Sequence, residues 1–178
     1  MPCAILRPEA AEDTAAIHVL HRAAFGQEVE ARLVDALREG GFSRVSLVAL
    51  ADSTESVEDP TRVPIMGHVL FTELRIIHGD QEQPALALAP LAVLPEYQRN
   101  GIGTALVQAG LAACRRAGHS AVFVVGDPRY YGRFGFSTEM AAPFECVYAC
   151  EAFMALELQP GTLSKAGRVE YPAAFADL

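Results

Sequence analysis

The stretch Leu91-Ala92-Val93-Leu94-Pro95-Glu96-Tyr97-Gln98-Arg99-Asn100-Gly101-Ile102-Gly103-Thr104 decides the fold of this chain. It ends an apolar run over residues 85–93 and precedes an amphipathic segment over residues 104–117, so it joins a buried strand to a helix N-terminus. Backbone amides in the first turn of a helix have no intrahelical partner. The amides of residues 99–104 therefore carry partial positive charge and suit a phosphate group. Gly101 and Gly103 have no side chain to hold a ligand off the backbone. No Lys-Ser/Thr pair follows, which excludes a nucleoside-triphosphate P-loop, and Leu106 stands where a dinucleotide fingerprint needs glycine. A plain loop with turn glycines also fits these six residues.

On the helix that follows, Ile102, Leu106, Ala109, Gly110 and Ala113 share one face, Arg115-Arg116 complement the C-terminal dipole, and Gly118 ends it. Residues 121–125 read as a fully buried strand. Residues 85–125 thus form a strand-helix-strand unit, which implies parallel strands and a right-handed crossover. Pro90 interrupts the first of those strands. Proline removes a ladder donor, so a bulge is expected there, opening a cleft toward residues 121–125; a simple edge position is the alternative.

Upstream, helical periodicity covers residues 9–25, with Asp13 or Thr14 as cap, and residues 28–39, ended by Gly40-Gly41. Strands are expected over residues 46–51 and 65–74, extended by Ile76-Ile77, with a turn at 78–81. The polar, acidic residues 52–61 read as a mobile hairpin loop. Downstream, residues 128–134 suggest a short helix, 144–158 one or two strands, and 168–171 a further strand. The expected class is α/β with a mixed sheet, antiparallel at the front and splayed between residues 85–93 and 121–125, with helices on both faces.

The chain has 178 residues, 51% hydrophobic and 20% charged. That size supports one core, and residues 1–178 are expected to form one domain. Against 22 acidic residues stand 14 basic ones, for a net charge of −8. The balance argues against a nucleic-acid partner, which requires a basic face. All the basic residues but Lys165 are arginines, so a cationic site would offer forked donors. No apolar run is long enough for a membrane helix, and residues 1–8 lack a signal-peptide pattern. A cytoplasmic location follows by default. Cys3, Cys114, Cys146 and Cys150 form no CxxC pair and are expected to be reduced and mostly buried. His18 and His21 have no third ligand at suitable spacing, so they read as helix-surface histidines and no metal site is expected.

A further motif is Asp127-Pro128-Arg129-Tyr130-Tyr131-Gly132-Arg133-Phe134-Gly135-Phe136. It follows the second parallel strand at its C-terminal end, where open α/β sheets bind ligands. Taken together, the segments resemble the GNAT superfamily of acyl-CoA N-acyltransferases, in its YhbS-like branch. Gln98-Arg99-Asn100-Gly101-Ile102-Gly103 fits that family's Gln/Arg-x-x-Gly-x-Gly/Ala signature. Residues 131–136 fit its Tyr-x-x-x-Gly-Phe segment. The tail Glu151-Ala152-Phe153-Met154-Ala155-Leu156-Glu157-Leu158 is similar as well.

The resemblance implies transfer of an acetyl group from acetyl-CoA to a primary amine by direct attack. Leu91, Ala92 and Val93 would pair with the pantetheine arm as an added strand. Gln98, Arg99, Asn100, Gly101, Ile102, Gly103 and Thr104 would hold the pyrophosphate, and Tyr130, Arg133 and Phe134 would line the cofactor. Tyr131 would be the general acid for the leaving thiolate. Family members often place a glutamate on the bulged strand, but residues 85–94 contain no acid. Glu73 is the first substitute as base; Asp127, His78 and His119 follow. Glu28 and Glu30, between the first two helices, would attract a cationic amine. A non-catalytic CoA-binding sensor is the alternative, and a homodimer is compatible with the family.

Overall fold

The structure, a computed structural model, describes residues 4–51 and 64–177. The expected loop at residues 52–61 and Cys3 lie outside the described residues.

One mixed sheet runs in the order β1-β2-β3-β4-β5-β7, with β8 on β3 and β6 on β8. Its strands are β1 (Ala4–Pro8), β2 (Ser43–Ala51), β3 (Ile65–His78), β4 (Gln81–Val93), β5 (Ala121–Val125), β6 (Phe144–Glu145), β7 (Phe153–Glu157) and β8 (Gly167–Glu170). β1 to β4 are antiparallel, and the β3–β4 hairpin turns at Gly79, whose φ is +60°. β4 and β5 are parallel, as the intervening helix requires.

The helices are α1 (Thr14–Phe25), α2 (Val29–Glu39), α3 (Ile102–Arg116), and the short α4 (Pro128–Tyr131) and α5 (Thr138–Ala141). They cover both faces because β3 alternates. Val69 and Phe71 pack with Ile102, Leu106 and Leu111 of α3. Leu70 packs with Ile17, Leu20, Leu33 and Leu37 of α1 and α2. A third cluster lies around Phe123, Phe144 and Phe153.

Local expectations shift in identifiable ways. Helix α1 begins five residues after Glu9, behind a 3-10 turn over Ala11–Asp13. Asp13 does not cap it, because Arg7 takes both carboxylate oxygens, at 2.6 and 2.8 Å. Strand β2 starts at Ser43, since Ser43 and Val45 find partners in Thr72 and Phe71. Helix α3 starts at Ile102, the first residue of its apolar face and two residues before the segment expected from Thr104. Cys114 is buried but Cys150 is exposed, against the expectation for the cysteines. His21 is fully buried, not on the helix surface, because His68 on β3 offers it a partner at 2.8 Å.

Gly110 shows how closely α3 approaches the sheet. A Cβ at that position would lie 2.2 Å from Cε2 of Phe71, which is itself fully buried. Gly110→Ala should therefore destabilise the fold by about 1–3 kcal/mol through overpacking, despite its better helix propensity. Urea unfolding measures this, and a more stable variant would refute the close approach.

Candidate acyl-CoA cleft

Hydrogen-bonded register joins β4 to β5 only at Leu86 with Val122 and Ala87 with Phe123. Beyond these pairs the strands part. On the other side of β4, Val69 pairs with Leu91 but Phe71 pairs with Leu88, so Ala89 and Pro90 together oppose Leu70. This is the bulge that Pro90 implied, and it bends β4 away from β5.

The connection to α3 is held by its own polar groups. Leu94 N–H donates to the Met66 carbonyl at 2.9 Å, and the Gln98 side-chain amide donates to the Val93 carbonyl at 3.0 Å. Arg99 (φ +63°) and Gly101 (φ +84°) are left-handed, which turns the chain sharply into α3. The first intrahelical bond is Ala105 N–H to the Gly101 carbonyl, at 2.9 Å. The amides of Ile102, Gly103 and Thr104 precede it, so the helix has no partner for them.

These elements enclose a cleft of about 450 Å³. Leu91 and Val93 line it from β4, Gln98 and Arg99 from the loop, and Gly101, Ile102, Gly103 and Thr104 from α3. Tyr130 and Arg133 close it from beyond β5. Tyr97 also lines it; its only sequence signal is an aromatic residue within a polar turn. Ala92, Asn100, Phe134 and Tyr131 are not among the lining residues. Ala92 faces the α1–α2 cluster, as strand alternation requires.

The two tyrosines differ. Tyr130 aims its hydroxyl at Gly103, where a Cβ would meet it at 2.9 Å. Burial raises its pKa, opposed by Thr104 and by Arg133, whose guanidinium lies 4.6 Å from the ring centre. Tyr131 stands edge-on behind Tyr130, with ring centres 4.9 Å apart, and packs against Phe136. Its ring fills the space where a side chain on Gly126 would be, 2.3 Å from a Cβ there. Burial, then the neighbouring Tyr130, raise the Tyr131 pKa well above the ordinary phenol value. The phenol is therefore protonated at neutral pH and able to donate.

Glu73 lies elsewhere. It opposes Leu86, pairs with Arg44, and lines a separate cavity of about 380 Å³ with Phe42 and Tyr171. Asp127 caps α4 by accepting from the Arg129 amide at 2.8 Å. His78 Nδ1 contacts the Ala166 carbonyl at 2.8 Å. Glu28 is engaged by His18 and Arg22, and Glu30 by Gln27. Burial pushes the Cys114 thiol up to about 12, which makes it a poor nucleophile. Among the described residues, no group of three His, Cys, Asp or Glu side chains could hold a metal ion, and no helix is long and apolar enough to cross a membrane.

A splayed parallel pair with free helix amides at its mouth defines an acyl-CoA transferase architecture, and comparison with known proteins gives the same answer. The acetyltransferase (GNAT) domain family matches residues 6–138. The chain is 36% identical over 138 residues to the uncharacterised N-acetyltransferase YhbS of Escherichia coli K12, covering 78% of this chain and 75% of that one. It is 35% identical over 161 residues to YjhQ of the same organism, covering 85% and 84%. The crystal structure of E. coli YhbS in complex with CoA superposes with a TM-score of 0.86 at 31% identity, over 99% of this chain and 93% of that one. A GNAT family acetyltransferase from Brucella melitensis in complex with acetyl-CoA gives 0.78 at 32%, over 98% and 99%. The chain belongs to the GNAT family of N-acetyltransferases.

Proposed function

We propose that the cleft binds acetyl-CoA and that the protein transfers its acetyl group to a primary amine, a cationic one by preference, in a ternary complex. The parting of β4 from β5 beyond Ala87 carries this reading, because it frees backbone groups of β4 beside the unpaired amides of α3. The complexes of the similar YhbS and Brucella proteins with CoA and acetyl-CoA support it. Leu91, Ala92 and Val93 offer the pantetheine arm a strand to pair with. The loop and first turn of α3 take the pyrophosphate. Arg99 and Arg133 add positive charge, and Phe134 backs Tyr130.

In the reaction the neutral amine attacks the thioester carbon. A C–N bond forms, and the carbonyl oxygen takes negative charge beside a backbone N–H near Val93. The C–S bond then breaks, and the thiolate takes the Tyr131 proton. The ammonium proton must leave to a base; Glu73 pairs with Arg44 in a separate cavity, so Glu73→Gln should leave the pH profile of the reaction unchanged. We read residues 1–178 as one domain, working in the cytoplasm, with a homodimer as its assembly.

Thermal unfolding with acetyl-CoA, NADH or ATP tests the cofactor. Acetyl-CoA at 100 times its Kd should add about 2.7 kcal/mol of stability. No shift at millimolar acetyl-CoA, or an equal shift with the controls, would count against the cleft. An amine panel tests the acceptor, and a clear preference for anionic amines would reject the cationic class.

A further inference from the structure

Behind β4, on the face away from the cofactor cleft, five side chains from five segments form one chain of hydrogen bonds, buried at its two histidines and part-buried at Ser46, Glu9 and Arg38. His21 Nε2 of α1 meets His68 Nδ1 of β3 at 2.8 Å. His68 Nε2 meets Ser46 Oγ of β2 at 2.8 Å, and Glu9 Oε2 is 3.5 Å away. Ser46 donates to Glu9, and Arg38 Nε of α2 donates to the same carboxylate at 2.7 Å. The order of protons follows from chemistry. The Ser46 hydroxyl has one proton, and the ionised Glu9 can only accept it. Ser46 Oγ must then accept from His68 Nε2–H, which leaves His68 Nδ1 as acceptor for His21 Nε2–H. Both imidazoles are neutral in this arrangement, and a proton added to His68 Nδ1 would reverse the bond and drive the His21 proton onto its Nδ1. His21 Nδ1 is buried with no partner.

We propose that His21 and His68 make α1 an acid-released clamp, held against β3 and β4 only while both imidazoles are neutral. Ala92 lies directly across from His68 and shares the apolar cluster of Ile17 and Leu20, so release of α1 uncovers the back of the cofactor strand. The inference does not depend on what the cleft binds.

The charges facing the pair agree with its sign. Burial is the largest influence on both rings and favours the neutral form. For His21, His68, Arg38 and His18 act the same way, and Glu9 opposes them. For His68, Glu9 and Asp13 oppose and Arg38 assists. His18 is itself held by Asp35 of α2 at 2.6 Å and by Glu28. β4 places Ala92 opposite His68 and carries no titratable side chain over residues 85–93. The balance lowers the His21 pKa to about 3 and lowers that of His68. Once α1 is open, water reaches both rings and each moves back toward the ordinary imidazole value. Below that pH the open form binds protons that the closed form refuses, so falling pH favours opening.

Amide hydrogen exchange of the whole protein, corrected for the intrinsic pH dependence, tests this. For α1 the opening constant should rise toward 100-fold per pH unit below about 6, the slope for two protons. The amides of α3 should show no such rise. In His21→Gln, whose amide keeps the donor but cannot take the proton, the slope should fall to about 10-fold. A pH-independent α1, an α1 that opens only together with α3, or an unchanged slope in His21→Gln overturns the proposal. The comparison of α1 with α3 in the unmodified protein decides it even if the variant does not fold.

Discussion

Tyr131→Phe should lower kcat by about 10²-fold or more while leaving the Kd for acetyl-CoA within about twofold. General acid catalysis contributes typically 10²–10⁴-fold. The variant keeps the ring that packs against Gly126, Tyr130 and Phe136 and loses only the proton donor. Because burial raises the phenol pKa, the donor stays protonated throughout the neutral range. The acid role of Tyr131 therefore adds no alkaline limb to the kcat profile below pH 10. Tyr130→Phe should behave differently. Its hydroxyl lies beside Gly103 in the cleft wall, so its loss should act mainly on cofactor affinity. Steady-state kinetics with calorimetric binding separates the two. A full-rate Tyr131→Phe beside a slow Tyr130→Phe would move the acid to Tyr130. Full rates in both would remove phenol catalysis altogether.

Gly103→Val should weaken acetyl-CoA binding by at least about 100-fold. A Cβ there would stand 2.9 Å from the Tyr130 hydroxyl and 3.7 and 3.8 Å from side-chain atoms of Val93 and Leu91. It would occupy the space between the three walls of the cleft. Hydrogen bonds from backbone amides to a charged phosphate are worth about 1.5–3 kcal/mol each, so losing one or two accounts for the effect. The Gly103 backbone is not in the left-handed region, and the helix itself tolerates valine at a cost below about 1 kcal/mol. The folded protein should therefore persist with nearly unchanged far-UV circular dichroism. Retained affinity would show that the pyrophosphate lies elsewhere.

The cleft was legible in sequence because its chemistry is local. Free amides, two glycines and a proline in a strand all stand within fifteen residues, and each constrains the backbone by itself. Eight of the residues assigned to the cofactor line one cavity for that reason, and Tyr130 and Arg133 join them from beyond β5. Long-range partnerships were not legible. Nothing near His21 in sequence announces His68, 47 positions away, so the helix period alone placed that ring on the surface. Asp13 looked like a cap because the bidentate partner, Arg7, sits on a different element. The location of Glu73 likewise depends on Arg44 and on the register of β3 against β4.

The two pairs that tie β4 to β5 divide the sheet mechanically. On one side lies the tightly laddered β1–β4 block with β8 on β3, on the other the β5–β7 pair, and the chain crosses between them through α3 and again between β7 and β8. A seam so short resists shear weakly, whereas the β3–β4 ladder runs nearly the full length of both strands. A molecule that hydrogen-bonds along β4 and leans on Tyr130 spans the seam, acting as a rivet between two plates. Binding there should stiffen the sheet across the seam, so that part of its rigidity is shared between chain and ligand.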